Sequence, residues 1–328
     1  MKMKVSIQIK GINWRRAIGI PEKAEQKRIS FVSCAEEEIS SALNNDRFST
    51  AKNYEVALRS LLRCAGTREL LLNEVNSSLI ERWERWLRQR NVSLNTISCY
   101  MRSMRAIYNK VEKTSSMIPH NNPFIHAYTG YARTRKRSIG LDDIRALRTA
   151  NLRQGSPQAY ARDIFLFSIY ALGMPFIDIA FLRKSQVCNG FICYQRHKTH
   201  QPIHIRIEPC MQEIIDRYQT HISDYVFPFI TETNPKSAYK QYKTHLRSYN
   251  RHLQQLAQKV GLQGQLSSYT VRHTWASIAY QRGIELPVIS KALGHTNPQT
   301  TQIYIRELAN DCIAKVNKQL LQCMFETE

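Results

Sequence analysis

An apolar run, IFLFSIYALGMPFI at residues 164–177, constrains the fold of this 328-residue chain more than any other feature of its sequence. The run is too short to cross a bilayer, and Asp163 and Asp178 stand at its two ends. Gly173 is typical of a helix end, and Pro175 is typical of the first position of a helix. The run therefore predicts a pair of buried helices rather than a membrane segment.

The part of the chain before this run has the apolar periodicity of helices. Four helical stretches follow one another between about Ser33 and Lys113, which predicts a small helical bundle. We assign the helical domain to residues 31–126, after an N-terminal extension over residues 1–30. Residues 127–140 contain the glycines and basic residues that are typical of an exposed linker.

Residues 141–328 combine helices with short strands. The Asn-Gly pair in SQVCNGFICYQ is a signal for a β-hairpin, and PIHIRIEP supplies another strand. Helical periodicity returns from about residue 209 and continues to the end of the chain. The predicted fold class is therefore mainly α with a small antiparallel sheet (α+β), divided into a helical-bundle domain and a mixed domain.

The net charge is the unusual part of the composition. The chain has 47 Lys and Arg against 26 Asp and Glu, which gives a formal charge of +21. Residues 1–126 carry 21 basic and 12 acidic residues and the remainder carries 26 and 14, so both parts are positive. Such an excess predicts a polyanionic partner, nucleic acid before a membrane surface.

The sequence offers no pattern for a metal or a prosthetic group to bind. Its eight cysteines include no CxxC pair, which suits a reducing cytosol and predicts neither a disulfide framework nor a zinc site. It contains no carboxylate metal cluster and no P-loop, and its N-terminus lacks the apolar core of a signal peptide. We therefore expect no cofactor, no metal and a location in the cytoplasm.

Three short motifs near the carboxyl end, YTVRH, LGH and TTQIY, carry the candidate chemistry. Arg272 lies at the start of a predicted helix, His295 follows the end of the next helix, and Tyr304 comes nine residues after His295. Taken singly, they have ordinary explanations as a salt-bridge arginine, a solvated turn histidine and a core tyrosine. Their order and spacing indicate a single site.

These motifs resemble the carboxyl-terminal motif of the tyrosine recombinases, or phage-type integrases. That motif is His-x-x-Arg-His, then Leu-Gly-His about twenty residues later, and then Tyr nine residues after the last His. The layout is similar over about residues 30–310, and it looks most like integrases of Bacteroidetes mobile elements. The resemblance implies a helical domain that binds core DNA, a basic linker and a catalytic domain that ends in a C-terminal helix.

The resemblance also implies a role for each candidate catalytic residue. Tyr304 is the expected nucleophile, Arg272 and His295 are expected to contact the scissile phosphate, and Lys198, in the turn RHKTHQ, is the expected general acid. Tyr269 stands where the family motif begins with His, and a phenol still donates one hydrogen bond. Guanidinium and imidazole donors suit the negative charge that develops on phosphate oxygens, and a lysine can protonate the departing 5′ oxygen.

The expected reaction is site-specific DNA recombination through a 3′-phosphotyrosine, giving integration, excision or inversion. Because that bond keeps the energy of the phosphodiester, rejoining needs neither ATP nor metal. The implied partner is double-stranded DNA with inverted-repeat core sites, bound by a homodimer at each site and a homotetramer in the synapse. The implied location is the cytoplasm of a bacterium, in association with the nucleoid.

One position departs from the family in a way that opens alternatives. The family's first catalytic arginine lies in a Gly-x-Arg turn, which here reads GMPFID, with Pro175 at the arginine position and Asp178 at the acidic one. Either Arg183 or Arg196 replaces the missing guanidinium, or the enzyme is slow, or the chain is a DNA-binding relative that no longer cuts. A relaxing enzyme like the type IB topoisomerases would use the same nucleophile.

Basic residues elsewhere are candidates for phosphate contacts, which fix the position of a protein on DNA without reading its sequence. By resemblance, Lys52, Arg102 and Arg105 lie on helices that face DNA. The linker residues expected to cross the DNA backbone are Arg135, Lys136 and Arg137. The alternative for each is a solvated surface charge. The apolar stripe after Tyr304 is expected to pack on its own domain or on a neighbouring protomer.

Overall fold

The structure is a computed structural model that describes residues 29–114, 122–132, 137–219, 221, 223–297 and 299–304. The chain divides into two compact units, Met1–Arg133 and Thr134–Glu328. Most of the expected N-terminal extension, the linker residues Arg135 and Lys136, and the expected C-terminal helix lie outside the described residues.

The first unit is a bundle of helices. They are α1 (Phe31–Asn44), α2 (Phe48–Ala65), α3 (Ser77–Gln89) and α4 (Leu94–Thr114). Side-chain caps start α1 and α3, where Ser30 accepts a hydrogen bond from the amide of Ser33 and Asn76 accepts one from Leu79. Gly66 ends α2 in the left-handed conformation, with φ 73°. Fully buried side chains such as Trp83 fill the centre of the bundle.

Residues 122–132 belong to the same unit. Phe124 is buried in the bundle's core, and the amide of Tyr128 donates to the carboxylate of Glu84. The Asn95 side chain donates to the carbonyl oxygen of Ala132 and accepts from its amide, both at 2.9 Å. The first part of the expected linker thus follows the surface of the bundle.

The second unit contains eight α-helices and a small sheet in the described residues. The helices are α5 (Leu141–Thr149), α6 (Pro157–Tyr170), α7 (Phe176–Ala180), α8 (Pro209–Tyr218), α9 (Pro235–Lys259), α10 (Thr270–Gln281), α11 (Leu286–Ala292) and α12 (Gln299–Tyr304). The strands are β1 (Val187–Cys188), β2 (Phe191–Gln195) and β3 (Pro202–Arg206), paired antiparallel in that order. This composition confirms the predicted mainly α fold class with a small antiparallel sheet. Among the described helices, none is long and apolar enough to cross a membrane.

The apolar run forms the predicted helix pair, α6 and α7. Gly173 joins them with φ 70°, and a β-carbon there would lie 3.3 Å from both the Arg272 Cα and the Trp275 Cβ. Pro175 is the N-cap of α7, so the helix begins at Phe176, one residue later than the sequence suggested. Asp178, placed by the sequence at the end of the run, is buried inside α7.

The sheet forms as its turn signal predicts. Asn189 and Gly190 have φ values of 52° and 74°, as a two-residue hairpin with positive φ at both positions requires. The longer hairpin pairs β2 with β3 from Phe191↔Arg206 to Gln195↔Pro202. The turn that joins these two strands therefore carries residues 196–201, including Lys198.

Candidate active site

Tyr304 is held in place against α10. Its backbone carbonyl accepts hydrogen bonds from Nδ1 of His273 at 3.2 Å and from the hydroxyl of Ser277 at 3.3 Å. Both donors lie on the helix that also carries Arg272. The conformation of α12 at the tyrosine is thus fixed by the same element that positions the arginine.

The Tyr304 ring lies among candidate residues of the other two motifs, YTVRH and LGH. The Tyr269 hydroxyl is 3.5 Å from the Tyr304 hydroxyl, and the centroid of the His295 ring is 5.2 Å from that of Tyr304. The Arg272 guanidinium carbon lies 5.7 Å from the centroid of the Tyr304 ring. The structure therefore brings together four of the candidate residues predicted from sequence.

Arg272 is buried with its guanidinium pointed at backbone oxygens. Nη1 donates to the carbonyl of Gly173 at 3.3 Å, and Nη2 donates to the carbonyl of Leu293. Burial, followed by the charge of Arg196, lowers the pKa of Arg272 to about 10. The group still carries its full charge at neutral pH, although the side chain is buried.

His295 is neutral at pH 7 in the protein without DNA. Burial lowers its pKa to about 3, with further contributions from the charges of Arg272, Arg196 and Lys198. Its Nδ1 lies 2.9 Å from the hydroxyl oxygen of Thr301. A neutral imidazole offers one donor and one acceptor, and this contact governs which nitrogen carries the proton.

Lys198 lies at the edge of the site, exposed on the turn between β2 and β3. The turn is tied down on both sides of the lysine. The amide of His197 donates to Oδ1 of Asp178 at 3.0 Å, and the hydroxyl of Thr199 donates to the carbonyl of Gly294 at 3.1 Å. A long side chain on an anchored turn suits a proton donor that must reach a ligand outside the protein.

Arg196 is one of the two arginines that the sequence offered as a replacement for the missing guanidinium, and it is buried in the site. Its Nη1 donates to the carbonyls of Leu293 at 2.9 Å and Gly294 at 3.2 Å. Its Nε lies 3.7 Å from Oδ2 of Asp178, a carboxyl whose pKa is raised by burial. The other candidate, Arg183, is exposed, and its guanidinium lies 5.5 Å from the centroid of the Tyr225 ring. Burial beside Asp178 distinguishes the two arginines, and no sequence pattern reveals it.

The candidate DNA-binding residues occupy different settings. Lys52 is exposed on α2 and pairs with Glu55 at 3.0 Å. On α4, Arg102 is exposed and Arg105 is half-buried. Arg137 is exposed, and its guanidinium lies 5.9 Å from the centroid of the Tyr269 ring. A basic residue of the expected linker thus lies beside the candidate catalytic residues.

Comparison with known proteins agrees with this arrangement. Residues 142–311 match the phage integrase family, and residues 30–126 match the phage integrase SAM-like domain. A tyrosine recombinase of Pseudothermotoga lettingae is 23% identical over 273 residues, which cover 77% of this chain and 85% of that protein. Tyrosine recombinase XerC of Chlamydia trachomatis serovar L2 is 45% identical over 58 residues, only 18% of each chain.

Two solved structures have the same fold at low sequence identity. A lambda integrase dimer bound to a COC′ core site has a TM-score of 0.64 at 13% identity, over 86% of this chain and 98% of that chain. A lambda integrase tetramer bound to a Holliday junction has a TM-score of 0.61 at 13% identity, over 86% and 80%. The likeness to integrases of Bacteroidetes elements stays a prediction. The resemblance to tyrosine recombinases is confirmed, and this chain belongs to the phage integrase family.

Proposed function

We propose that this protein is a site-specific DNA recombinase that cleaves and rejoins DNA through a 3′-phosphotyrosine at Tyr304. The observation that carries the proposal is the convergence on Tyr304 of Arg272 and Tyr269, from α10 and its N-cap, and of His295, from the turn after α11. A tyrosine in the core of a protein needs no such surroundings. A tyrosine that attacks a phosphodiester needs cationic and hydrogen-bonding groups around it.

In the cleavage step the Tyr304 oxygen bonds to phosphorus and the bond from phosphorus to the 5′ oxygen breaks. An anionic phosphate next to His295 opposes the nearby positive charges and raises the pKa of the imidazole above its value in the DNA-free protein. When Nδ1 of His295 donates to Thr301, its Nε2 then accepts the phenolic proton, and the imidazolium donates to a phosphate oxygen. Lys198 gives its proton to the 5′ oxygen, which leaves as a hydroxyl. Attack by a 5′ hydroxyl of the partner strand reverses each transfer and restores a phosphodiester.

Arg272 supports this step electrostatically. Its guanidinium is fixed by two carbonyl oxygens before the substrate arrives, so that little reorganisation is needed as charge develops. Removing one such donor typically lowers a rate by about 10²–10³-fold. Tyr269 adds a neutral donor next to the nucleophile.

The partner is double-stranded DNA with inverted-repeat core sites. Lambda integrase, which shares the fold, has been solved as a dimer on a core site and as a tetramer on a Holliday junction. By likeness, this chain binds each site as a homodimer and forms a homotetramer in the synapse, in the cytoplasm and close to the nucleoid. Its phosphate contacts come from Lys52, Arg102, Arg105, Arg135, Lys136 and Arg137.

The alternative is a DNA-binding protein on the same fold that no longer cuts. Pro175 favours it, because a proline at the N-cap of α7 supplies no guanidinium. The two functions differ in chemistry, since only the recombinase becomes covalently attached to DNA. A relaxing enzyme would also become attached, but it would not exchange strands between two copies of a site.

The experiment begins with a pool of nicked duplexes randomised over the core. Complexes that survive denaturation are isolated and their DNA is sequenced, which yields a core site. Two copies of that site are then placed on one plasmid. A recombinase gives deletion or inversion between them, whereas a relaxing enzyme gives covalent complexes alone. If no covalent complex forms while DNA is bound tightly, the binding-protein alternative is correct.

A further inference from the structure

The site lacks a guanidinium at the position of Pro175, yet a second buried guanidinium lies next to Arg272. We infer that Arg196, at the carboxyl end of β2, binds the scissile phosphate and supplies the charge that Pro175 does not. The inference rests on the proposed function and adds a catalytic residue to it.

The two arginines meet at one atom. Nη1 of Arg196 and Nη2 of Arg272 both donate to the carbonyl oxygen of Leu293, two residues before His295 in the chain. Two groups that share one acceptor must be neighbours, although they come from a strand end and a helix. Because the Arg272 guanidinium also lies 5.7 Å from the centroid of the Tyr304 ring, Arg196 stands next to the guanidinium that faces the candidate nucleophile.

The charges at this point are not balanced by the protein. Asp178 is the carboxylate that pairs with Arg196, and its Oδ2 stands 3.7 Å from Nε, too far for a hydrogen bond. Among the described residues, Oδ2 of Asp178 and the Nε atoms of both arginines have no hydrogen-bond partner. Like charges held together in a low-dielectric site repel each other strongly, which a bound anion would relieve. A phosphodiester is such an anion, and it accepts bidentate hydrogen bonds from guanidinium groups.

The simpler reading makes Arg196 a structural brace. Its bonds to Leu293 and Gly294 hold the turn that presents His295, and its stem packs where a β-carbon on Gly294 would lie 2.6 Å from Cδ. A brace explains the bonds to carbonyl oxygens, which any donor of this length could make. It does not require a permanent positive charge beside another guanidinium. The two readings therefore differ in whether the charge itself matters.

The test compares Arg196→Gln and Arg196→Ala with wild type on a nicked core duplex recovered by covalent capture. Glutamine keeps donors on a side chain that reaches less far and removes the charge. We expect both variants to form the covalent complex about 100–1,000-fold more slowly, while they still bind the duplex. Arg183→Ala is the matched control, an arginine of the same unit on the surface, and it should cleave at the wild-type rate.

A second substrate distinguishes a role for the charge of Arg196 from a purely structural role of its side chain. In it a methylphosphonate replaces the scissile phosphate, so that a neutral methyl group takes the place of one charged oxygen. If Arg196 neutralises that charge, Arg196→Gln should cleave the methylphosphonate duplex within about fivefold of wild type. An equally large loss on both substrates would show that Arg196 is only a brace and would overturn the inference.

The results of these experiments distinguish a failure of the role proposed for Arg196 from a failure of the recombinase function. If wild type forms no Tyr304-dependent complex, the recombinase proposal and the role of Arg196 both fail. If wild type cleaves and Arg196→Gln cleaves equally well, the recombinase proposal stands and Arg196 is not the missing guanidinium. A loss of cleavage in Arg183→Ala instead would assign the role to Arg183.

Discussion

The Tyr269 hydroxyl lies 3.5 Å from the hydroxyl of Tyr304, and the Tyr269 side chain stays about half exposed. A donor in this position faces the nucleophile from the open side of the site. The family motif places a histidine there, and both side chains end in a group that donates one hydrogen bond. The geometry is therefore consistent with Tyr269 acting as a neutral donor to the reacting oxygens.

Replacing this donor should slow cleavage modestly. One neutral hydrogen bond contributes about 0.5–1.5 kcal/mol, so Tyr269→Phe should reduce the rate of covalent complex formation about threefold to tenfold. Tyr269→His should restore most of the rate. The control is Tyr280→Phe, a tyrosine near the other end of helix α10. Equal rates for wild type and Tyr269→Phe would remove Tyr269 from the mechanism.

Gly294 should tolerate substitution far less than Gly190, although both have positive φ. A β-carbon on Gly294 would lie 2.6 Å from Cδ of Arg196 and 2.9 Å from Cδ1 of Ile203, whereas one on Gly190 meets nothing within 4 Å. Gly190→Ala should cost about 1–2 kcal/mol for its left-handed backbone. Gly294→Ala should cost about 2–5 kcal/mol, since overpacking adds to the strain. Chemical denaturation measures the free energy of unfolding of both variants. Equal losses of stability would contradict the packing around Gly294.

His295 should make the DNA-free protein less stable as pH falls. Its pKa is about 3 in the folded protein, below the ordinary value of 6.5 that applies when the chain is unfolded. Between these values the unfolded state binds the proton and the folded state does not, so stability decreases as pH falls from about 6.5. His295→Gln cannot titrate. Its melting temperature should therefore fall less than that of wild type between pH 7 and pH 5.

His245 and His252 also have pKa values lowered by burial, and they contribute equally to both proteins in this comparison. The difference between wild type and His295→Gln therefore isolates one histidine. Parallel curves over this pH range would mean that His295 is not desolvated in the folded protein.

The α4 arginines should contribute to the salt dependence of DNA binding. Each phosphate contact adds about −0.9 to the slope of log affinity against log salt concentration. Arg102→Ala and Arg105→Ala should each flatten that slope by about one unit on the captured core duplex. Arg145→Ala, an exposed arginine of α5 paired with Asp142, is the control and should leave the slope unchanged. An unchanged slope in both α4 variants would show that this helix does not face DNA.

The sequence was sufficient to predict those features of the structure that depend on interactions between residues close together in the chain. The spacing from His295 to Tyr304 and the Asn189-Gly190 turn depend on residues close together in the chain, and both are consistent with the structure. The fold class follows from periodicity, which reflects which face of each helix is buried.

The position of Arg196 could not be predicted in this way. Its surroundings come from α7 through Asp178 and from the turn after α11 through Gly294, segments far from β2 in the sequence. Only the docking of the β2–β3 hairpin brings them together. Helix starts are uncertain for a similar reason, since a cap depends on the exact backbone conformation at the end of a helix, as at Pro175.

The most direct test of the account is to locate the covalent bond between protein and DNA. The denatured complex with the captured duplex would be digested with protease and nuclease, and the nucleotide-bearing peptide would be sequenced by mass spectrometry. We expect a phosphodiester on the Tyr304 oxygen, and no complex with Tyr304→Phe although that variant binds the duplex normally. A nucleotide attached to any other residue, or a complex that persists in Tyr304→Phe, would contradict it.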